Sequence, residues 1–312
     1  MRIEFEDDVE AARALGHDLY RFSRMPVDDD WPTGVRDGFE LARTRGEARR
    51  SGDAYQRKWL QLRLSALGRG RFVSDGVTPQ FLRRIDVVEC PVLRITLTRG
   101  TRADTDWSVD RLNNDAAYAP NNLAVMSTRA NLAKGDRNFD EVLRLAGLGH
   151  ATDGIEPAAW LRLAAMMLGP CFVGNPVAAP DIPMPVGIPN FTVRMTTQQL
   201  QHLFASRCAR HAGKNALVKA LRVAMPDEAG QRALQLLAAS VHDGLKGLAY
   251  PWDVWLLEGR MEMLRALREQ VGEPAWGLLG AIACNLIGGR PIERWRLADW
   301  RVQNRGYRAL RA

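Results

Sequence analysis

The sequence predicts a mainly α-helical protein with a small α+β module in the middle of the chain. Over most of its length, apolar residues recur at the three- and four-residue spacing of an amphipathic helix. The C-terminal half gives the clearest example, with Leu217, Ala220, Leu221 and Ala224. The exception is the stretch 106–136, where two short strand-like apolar runs are separated by residues that favour turns. These patterns together predict three parts: residues 1–71, 72–148 and 155–312.

The first part, residues 1–71, is expected to be helical. Apolar residues at helical spacing predict a helix over residues 1–24, which a run of prolines, aspartates and a glycine ends. A second helical region is expected over about 36–67, where two glycines stop it. A short helix at 79–84 and a strand-like stretch at 87–97 follow.

Positive charge is concentrated in the basic segment, residues 36–71. The whole chain carries a formal charge of +7, and residues 41–71 alone hold nine Arg or Lys residues against Glu47 and Asp53. Such clusters are typical of proteins that contact phosphate backbones, although a solvated helix face gives the same pattern. We expect the segment to bind DNA phosphates without reading base sequence. The residues expected to do so are Arg49, Arg50, Arg57 and Lys58.

The stretch 106–136 predicts a strand, a loop, a second strand and a helix. Residues 107–109 alternate as a strand does, and Asp110 and Arg111 fall at its end. Turn-forming residues come next, and residues 123–126 supply the second strand.

The helix that follows this hairpin has a clear start signal. Ser127 or Thr128 is a suitable N-cap, and Asn131 lies about one turn into the helix. If the helix lies across the hairpin, the side chains of Asp110 and Asn131 converge on one point.

This order of elements resembles the ββα-metal motif of the HNH, or His-Me finger, endonucleases. The residues that carry the resemblance are Asp110, Asn122, Asn131 and Lys134, and it covers about residues 90 to 136. It implies a metal-dependent endonuclease or nickase that hydrolyses DNA phosphodiester bonds, of a kind associated with phages, mobile elements or defence loci. The fold it implies is an HNH-like ββα-metal core over 72–148, followed by an all-α domain.

The resemblance also implies a cofactor and roles for these residues. A single Mg²⁺ or Mn²⁺ ion would be held by the oxygens of Asp110 and Asn131. Asn122 would brace the loop, while Arg129 and Lys134 would hold neighbouring phosphates. No zinc is expected, because the Cys90-Pro91 pair that resembles a zinc-binding signature lacks partner cysteines.

Arg111 departs from the family pattern, which has a histidine here to take a proton from the attacking water. Arginine stays protonated, because its pKa lies above about 12. Three interpretations remain open. Another group, such as Asp115 or a metal-bound hydroxide, acts as the base; or Arg111 clamps the scissile phosphate; or the site is inactive and only binds DNA.

Two alternatives to the nuclease therefore stand beside it. One is a catalytically inactive DNA-binding or regulatory protein derived from an HNH module. The other places the function in the C-terminal helices, as a partner-binding or sensor module. Convergence of Asp110 and Asn131 would favour the nuclease, and a pocket or apolar groove would favour the sensor.

The third part, residues 155–312, is expected to be all-α. Helices are predicted over about 157–168, 253–271 and 275–287, whereas the proline-rich passage 169–190 is expected to lack regular structure. The longest apolar stretch, 275–287, is too short to span a bilayer, so no membrane contact is expected. These helices are also where a protein partner, or a second copy of the chain, would bind.

The cysteines bear on the cellular compartment. They are far apart and contain no CxxC pair, which argues against a disulfide framework and fits a reducing environment. They are Cys90, Cys171, Cys208 and Cys284. The first residues lack a basic stretch followed by an apolar run, so no signal peptide is expected. The sequence therefore predicts a cytoplasmic protein.

Overall fold

The structure, a computed structural model, describes residues 2–23, 26–187, 195–288 and 300–301. In these ranges the chain is mainly helical, with one two-stranded antiparallel sheet. The predicted coarse fold class, mainly α with a small β element, is confirmed for the described residues. None of the helices in these ranges combines the length and the apolar character needed to cross a bilayer.

The chain divides into two compact units. The first contains the described residues up to Asp86, together with Ala116–Pro120 and residues 300–301. The second contains residues 87–115 and 121–288, within the described ranges. The hairpin and the C-terminal helices therefore belong to one unit.

The first unit is built from four helices. These are α1 (Arg2–Phe22), α2 (Thr33–Thr44), α3 (Ala54–Gly68) and α4 (Pro79–Ile85). The backbones of α1 and α2 are in direct contact at Gly16. A Cβ atom there would lie 1.9 Å from the carbonyl oxygen of Val35, so a larger residue would not fit. Leu15, Leu19 and Phe39 fill the core beside this contact.

The basic segment is two helices and not the single helical region that was predicted. Helix α2 ends at Thr44, Gly46 adopts a left-handed φ of 65°, and the chain stays irregular until Asp53. The Asp53 side chain then accepts a hydrogen bond from the backbone N–H of Gln56 and begins α3. Local cap and turn chemistry thus overrides the helix propensity of the segment.

The strand-like stretch 87–97 does not form a strand. Pro91 has no N–H for a ladder, and the chain turns so that the N–H of Arg94 bonds to the carbonyl of Cys90. Within this stretch Glu89 and Thr96 form an isolated antiparallel bridge.

The second unit begins with the predicted strand, loop, strand and helix. Strands β1 (Trp107–Arg111) and β2 (Leu123–Ser127) pair antiparallel, with Trp107 opposite Ser127 and Arg111 opposite Leu123. Helix α5 (Thr128–Lys134) follows β2 directly. The Ser127 side chain caps it by accepting a hydrogen bond from the N–H of Ala130, at 3.2 Å.

The rest of the second unit is helical. The described helices are α6 (Phe139–Ala146), α7 (Pro157–Phe172), α8 (Thr196–Arg207), α9 (His211–Leu221), α10 (Glu228–Gly244) and α11 (Arg260–Ile287). Helix α7 runs past its predicted end and carries Pro170 in its last turn. Within α11 a non-helical Gly272 precedes Pro274, at the boundary predicted between two helices. The C-terminal core includes Phe204, Leu237 and Trp255.

Candidate functional site

The hairpin and α5, here called the hairpin–helix module, bring the predicted site residues onto facing surfaces. Alternation along β1 places Ser108 and Asp110 on the same side of the hairpin. On α5, Asn131 and Lys134 are three residues apart and so lie on one helix face. Ser108 pairs with Asn131, and Asp110 pairs with Lys134.

Asp110 forms a buried ion pair with Lys134. Asp110 Oδ2 lies 3.0 Å from Lys134 Nζ, and the two side chains are 9% and 0% exposed. Solvent does not reach Oδ2. Burial raises the pKa of the Asp110 carboxyl, and the adjacent ammonium of Lys134 opposes that rise. The charge of Asp110 therefore depends on Lys134.

The Lys134 ammonium also donates hydrogen bonds to two other oxygen atoms. Its Nζ donates hydrogen bonds to the backbone carbonyl of Arg111, at 2.7 Å, and to Asn114 Oδ1, at 2.9 Å. We call Lys134, Asp110, Arg111 and Asn114 the Lys134 cluster. The predicted contact of Lys134 with a DNA phosphate would require the ammonium to leave these three oxygens and the protein interior.

Asn131, the second predicted metal ligand, is engaged with the hairpin. Its Nδ2 donates a hydrogen bond to Ser108 Oγ at 2.7 Å, and the side chain is half-buried. Asn131 and Asp110 thus lie on facing surfaces of the module, and each contacts a different protein partner.

The residues present do not fit a divalent ion in this arrangement. The carboxylate expected to supply the hard ligand is already neutralised by a buried ammonium. A Mg²⁺ or Mn²⁺ ion at Asp110 would lie within a few ångströms of that positive charge and would be repelled by it. The predicted metal ligation by Asp110 and Asn131 therefore stays a prediction that the present geometry does not support.

Asn122 braces the loop between the strands. Its Oδ1 accepts a hydrogen bond from the N–H of Asn113 at 2.8 Å, and its Nδ2 donates to the carbonyl of Asn113 at 3.0 Å. The side chain is completely buried, so both of its polar ends are satisfied inside the protein. These two bonds hold the loop at Asn113, and a role of Asn122 in a nuclease site stays a prediction.

Arg111 also binds the loop. Its Nη1 donates to the carbonyl of Asn114 at 3.0 Å, and the side chain is half-buried. Strand alternation places the Arg111 side chain on the opposite side of β1 from Asp110, although its charge still lowers the pKa of Asp110.

Ser108 and Asn114 inside the module, and Cys90 outside it, have structural contacts that were not predicted. Asn114 accepts from Lys134 and donates through Nδ2 to the carbonyl of Gly135, at 3.1 Å, just beyond α5. Cys90 Sγ accepts from the N–H groups of Leu93, at 3.4 Å, and Ser127, at 3.3 Å. Strand alternation indicates the position of Ser108 beside Asp110, whereas no local signal identifies Asn114 as the partner of Lys134.

The guanidinium groups predicted to bind DNA are exposed, but some also serve the fold. In the first unit, Arg49 donates to the carbonyls of Tyr20, at 3.1 Å, and Ser23, at 3.0 Å. Arg57 donates to the carbonyl of Gly52. In the second unit, the exposed Arg129 donates to the carbonyl of Gly154. Each guanidinium has five N–H donors, so these bonds leave others for a phosphate.

Two acids of the stretch 43–57 contact residues outside it, whereas Glu40 pairs with Arg43 inside the basic segment. Glu47 lies 2.6 Å from His17 Nε2, and Asp53 lies 2.5 Å from the guanidinium of Arg83. The segment exposes Arg43, Arg45, Arg49, Arg50 and Arg57. The half-buried Lys58 adds charge to this surface.

Comparisons with protein-family models, with curated proteins and with solved structures found no match.

Proposed function

We propose that this chain is a DNA-binding protein that carries an HNH-like hairpin–helix module without a working metal centre. The observation that carries the proposal is the basic surface of residues 43–57. Five exposed arginines lie within fifteen positions, one of them paired with Glu40, and the two acids of that stretch contact Arg21 and Arg83 outside it. Such a surface attracts phosphate backbones, releases condensed counterions and reads no base sequence.

The second candidate is a metal-dependent DNA endonuclease or nickase. The observation that favours it is the placement of Asp110 and Asn131 on the facing strand and helix, in the order that the HNH motif has. It requires Lys134 to leave Asp110, because the carboxylate is otherwise neutralised. We rank it below DNA binding for that reason.

Fluorescence anisotropy with a short DNA duplex tests the first candidate. The change is the pair Arg45→Glu and Arg50→Glu, and the control is Arg232→Glu, an exposed arginine on α10. We expect the pair to weaken binding at least about tenfold at low salt and to reduce the slope of log K against log salt by about 2, since each phosphate contact contributes about 0.9. The control should change neither. Equal losses in both variants would refute binding through the basic segment.

A plasmid-nicking assay in Mg²⁺ or Mn²⁺ separates the two candidates. Asn131→Ala is the informative variant, because Asn131 is half-buried and lies outside the Lys134 cluster. Metal-dependent nicking by the native chain that Asn131→Ala abolishes would establish the nuclease. Binding to DNA without nicking by either protein supports the DNA-binding proposal.

A further inference from the structure

We infer that the ammonium of Lys134 is the built-in cation of the hairpin–helix module and occupies the place where a divalent ion would otherwise neutralise Asp110. This inference concerns the module alone, and it holds whether or not the chain binds DNA. Removal of the side chain should accordingly create a site for a small primary alkylammonium ion.

The oxygens around Nζ have the chemistry of a cation site. A carboxylate, a backbone carbonyl and an amide carbonyl, from Asp110, Arg111 and Asn114, approach it at 3.0, 2.7 and 2.9 Å. These are the oxygen types that hard cations prefer in proteins. The distances are those of N–H···O contacts, however, and exceed the 2.0–2.1 Å of a Mg²⁺–oxygen bond. The cluster is therefore sized for an ammonium ion with three N–H donors.

The position of Lys134 in the fold explains why a lysine can serve this purpose. It is the last residue of α5, where the exposed carbonyl ends of the helix favour a positive charge. From there the ammonium reaches the end of β1 through Asp110 and Arg111, and the following loop through Asn114. One cation thus fastens the helix, the strand and the loop together, as a structural metal does in other small modules.

Two expected results distinguish a resident ammonium ion from an empty metal site. The native chain should gain no stability from Mg²⁺ or Mn²⁺, because its cation is covalently attached. In Lys134→Ala, the missing atoms are those of n-propylammonium, which could refill the space and restore the charge. Tetramethylammonium cannot, because it has no N–H donor for the three oxygens.

The experiment measures thermal unfolding of the full chain, Lys134→Ala and Lys134→Met with each salt at equal ionic strength. We expect the melting temperature of Lys134→Ala to fall by about 6 °C or more and to recover at least partly in n-propylammonium, but not in tetramethylammonium. Lys246→Met is the matched control, since Lys246 forms an exposed pair with Asp243 and should melt like the native chain. If neither Lys134 variant folds while the control does, the module requires its ammonium, which supports the inference.

Two results would overturn it. The first is a melting temperature of Lys134→Met equal to that of Lys246→Met, because the ammonium would then hold nothing together. The second is tight one-to-one Mn²⁺ binding by the native chain, measured by electron paramagnetic resonance, that is lost in Asp110→Asn and retained in Asp243→Asn. In that case the resident cation would be the metal.

Discussion

Replacement of Lys134 by methionine should lower the free energy of unfolding by about 3–5 kcal/mol, the usual cost of removing one partner of a buried ion pair. Methionine keeps most of the packing volume, so the loss reports removal of the ammonium group and not of packing. The Lys134 side chain is 0% exposed, and its removal leaves the buried carboxylate of Asp110 without its ion-pair partner. It also removes the donor for the Arg111 carbonyl and for Asn114 Oδ1. A loss of this size is a large part of the 5–15 kcal/mol that typically holds a domain together.

The same substitution should make stability depend on pH. Burial raises the pKa of Asp110, and without the ammonium the main opposing effect is lost, so the pKa lies further above the unfolded value of about 4. The folded variant then binds a proton that the unfolded chain releases, so stability is greatest below about pH 4 and falls as the pH rises through the raised pKa. The cost of Lys134→Met should therefore be larger at pH 8 than at pH 5.

Urea unfolding followed by circular dichroism measures both effects. Lys246→Met again serves as the control, because its pair with Asp243 is 71% and 66% exposed and contributes less than about 1 kcal/mol. The double variant of Lys134→Met with Asp110→Asn should recover part of the loss, since no carboxylate is then left unpaired. A cost below about 1 kcal/mol for Lys134→Met, independent of pH, would refute the reasoning.

Three further predictions concern neighbouring contacts. The hydrogen bond from the Thr98 hydroxyl is the largest of the effects that lower the pKa of Asp106 to about 2. The stabilising effect of this carboxylate should be complete above about pH 4 and be lost as the pH falls towards 2, and Asp106→Asn should remove this dependence in acid-unfolding curves. Asn122→Ala removes two buried hydrogen bonds and should cost about 1–3 kcal/mol in urea unfolding, whereas no loss would show that the loop needs no brace. Arg94 contacts both carboxylate oxygens of Asp253, so Arg94→Lys should cost about 1–2 kcal/mol in the same assay; an unchanged midpoint would show that the two-pronged contact is dispensable.

The hairpin–helix module was predictable because its signals are local. Alternation gave β1, turn-forming residues gave the loop, and the Ser127 cap gave the start of α5. Where the signals were weaker, the prediction failed. The basic segment contains a break at Gly46 that overall helix propensity does not reveal, and the stretch 87–97 turns back on itself at Cys90 instead of extending.

Sequence periodicity predicts on which surface each residue of the candidate site lies, but not which residues contact each other. Strand and helix spacing place Asp110 on one surface and Asn131 with Lys134 on the surface that faces it. Periodicity does not say which pairs meet, because that depends on how the helix crosses the hairpin. In the structure Asp110 meets Lys134 and Asn131 meets Ser108, so residues expected to hold an ion and a phosphate are bonded within the protein.

Arg111 now has a structural explanation that does not require it to replace a catalytic histidine. Its carbonyl accepts a hydrogen bond from Lys134, which any residue could provide, while its guanidinium holds the backbone of Asn114, whose side chain completes the cluster. If the missing base alone prevented hydrolysis, Arg111→His should produce metal-dependent nicking of plasmid DNA. If the ammonium of Lys134 occupies the cation position, Arg111→His should stay inactive and lose some stability, because Asn114 is less firmly placed. Nicking by Arg111→His in Mn²⁺, abolished by adding Asn131→Ala, would show that a metal ion displaces the Lys134 ammonium. The endonuclease would then be the better-supported function.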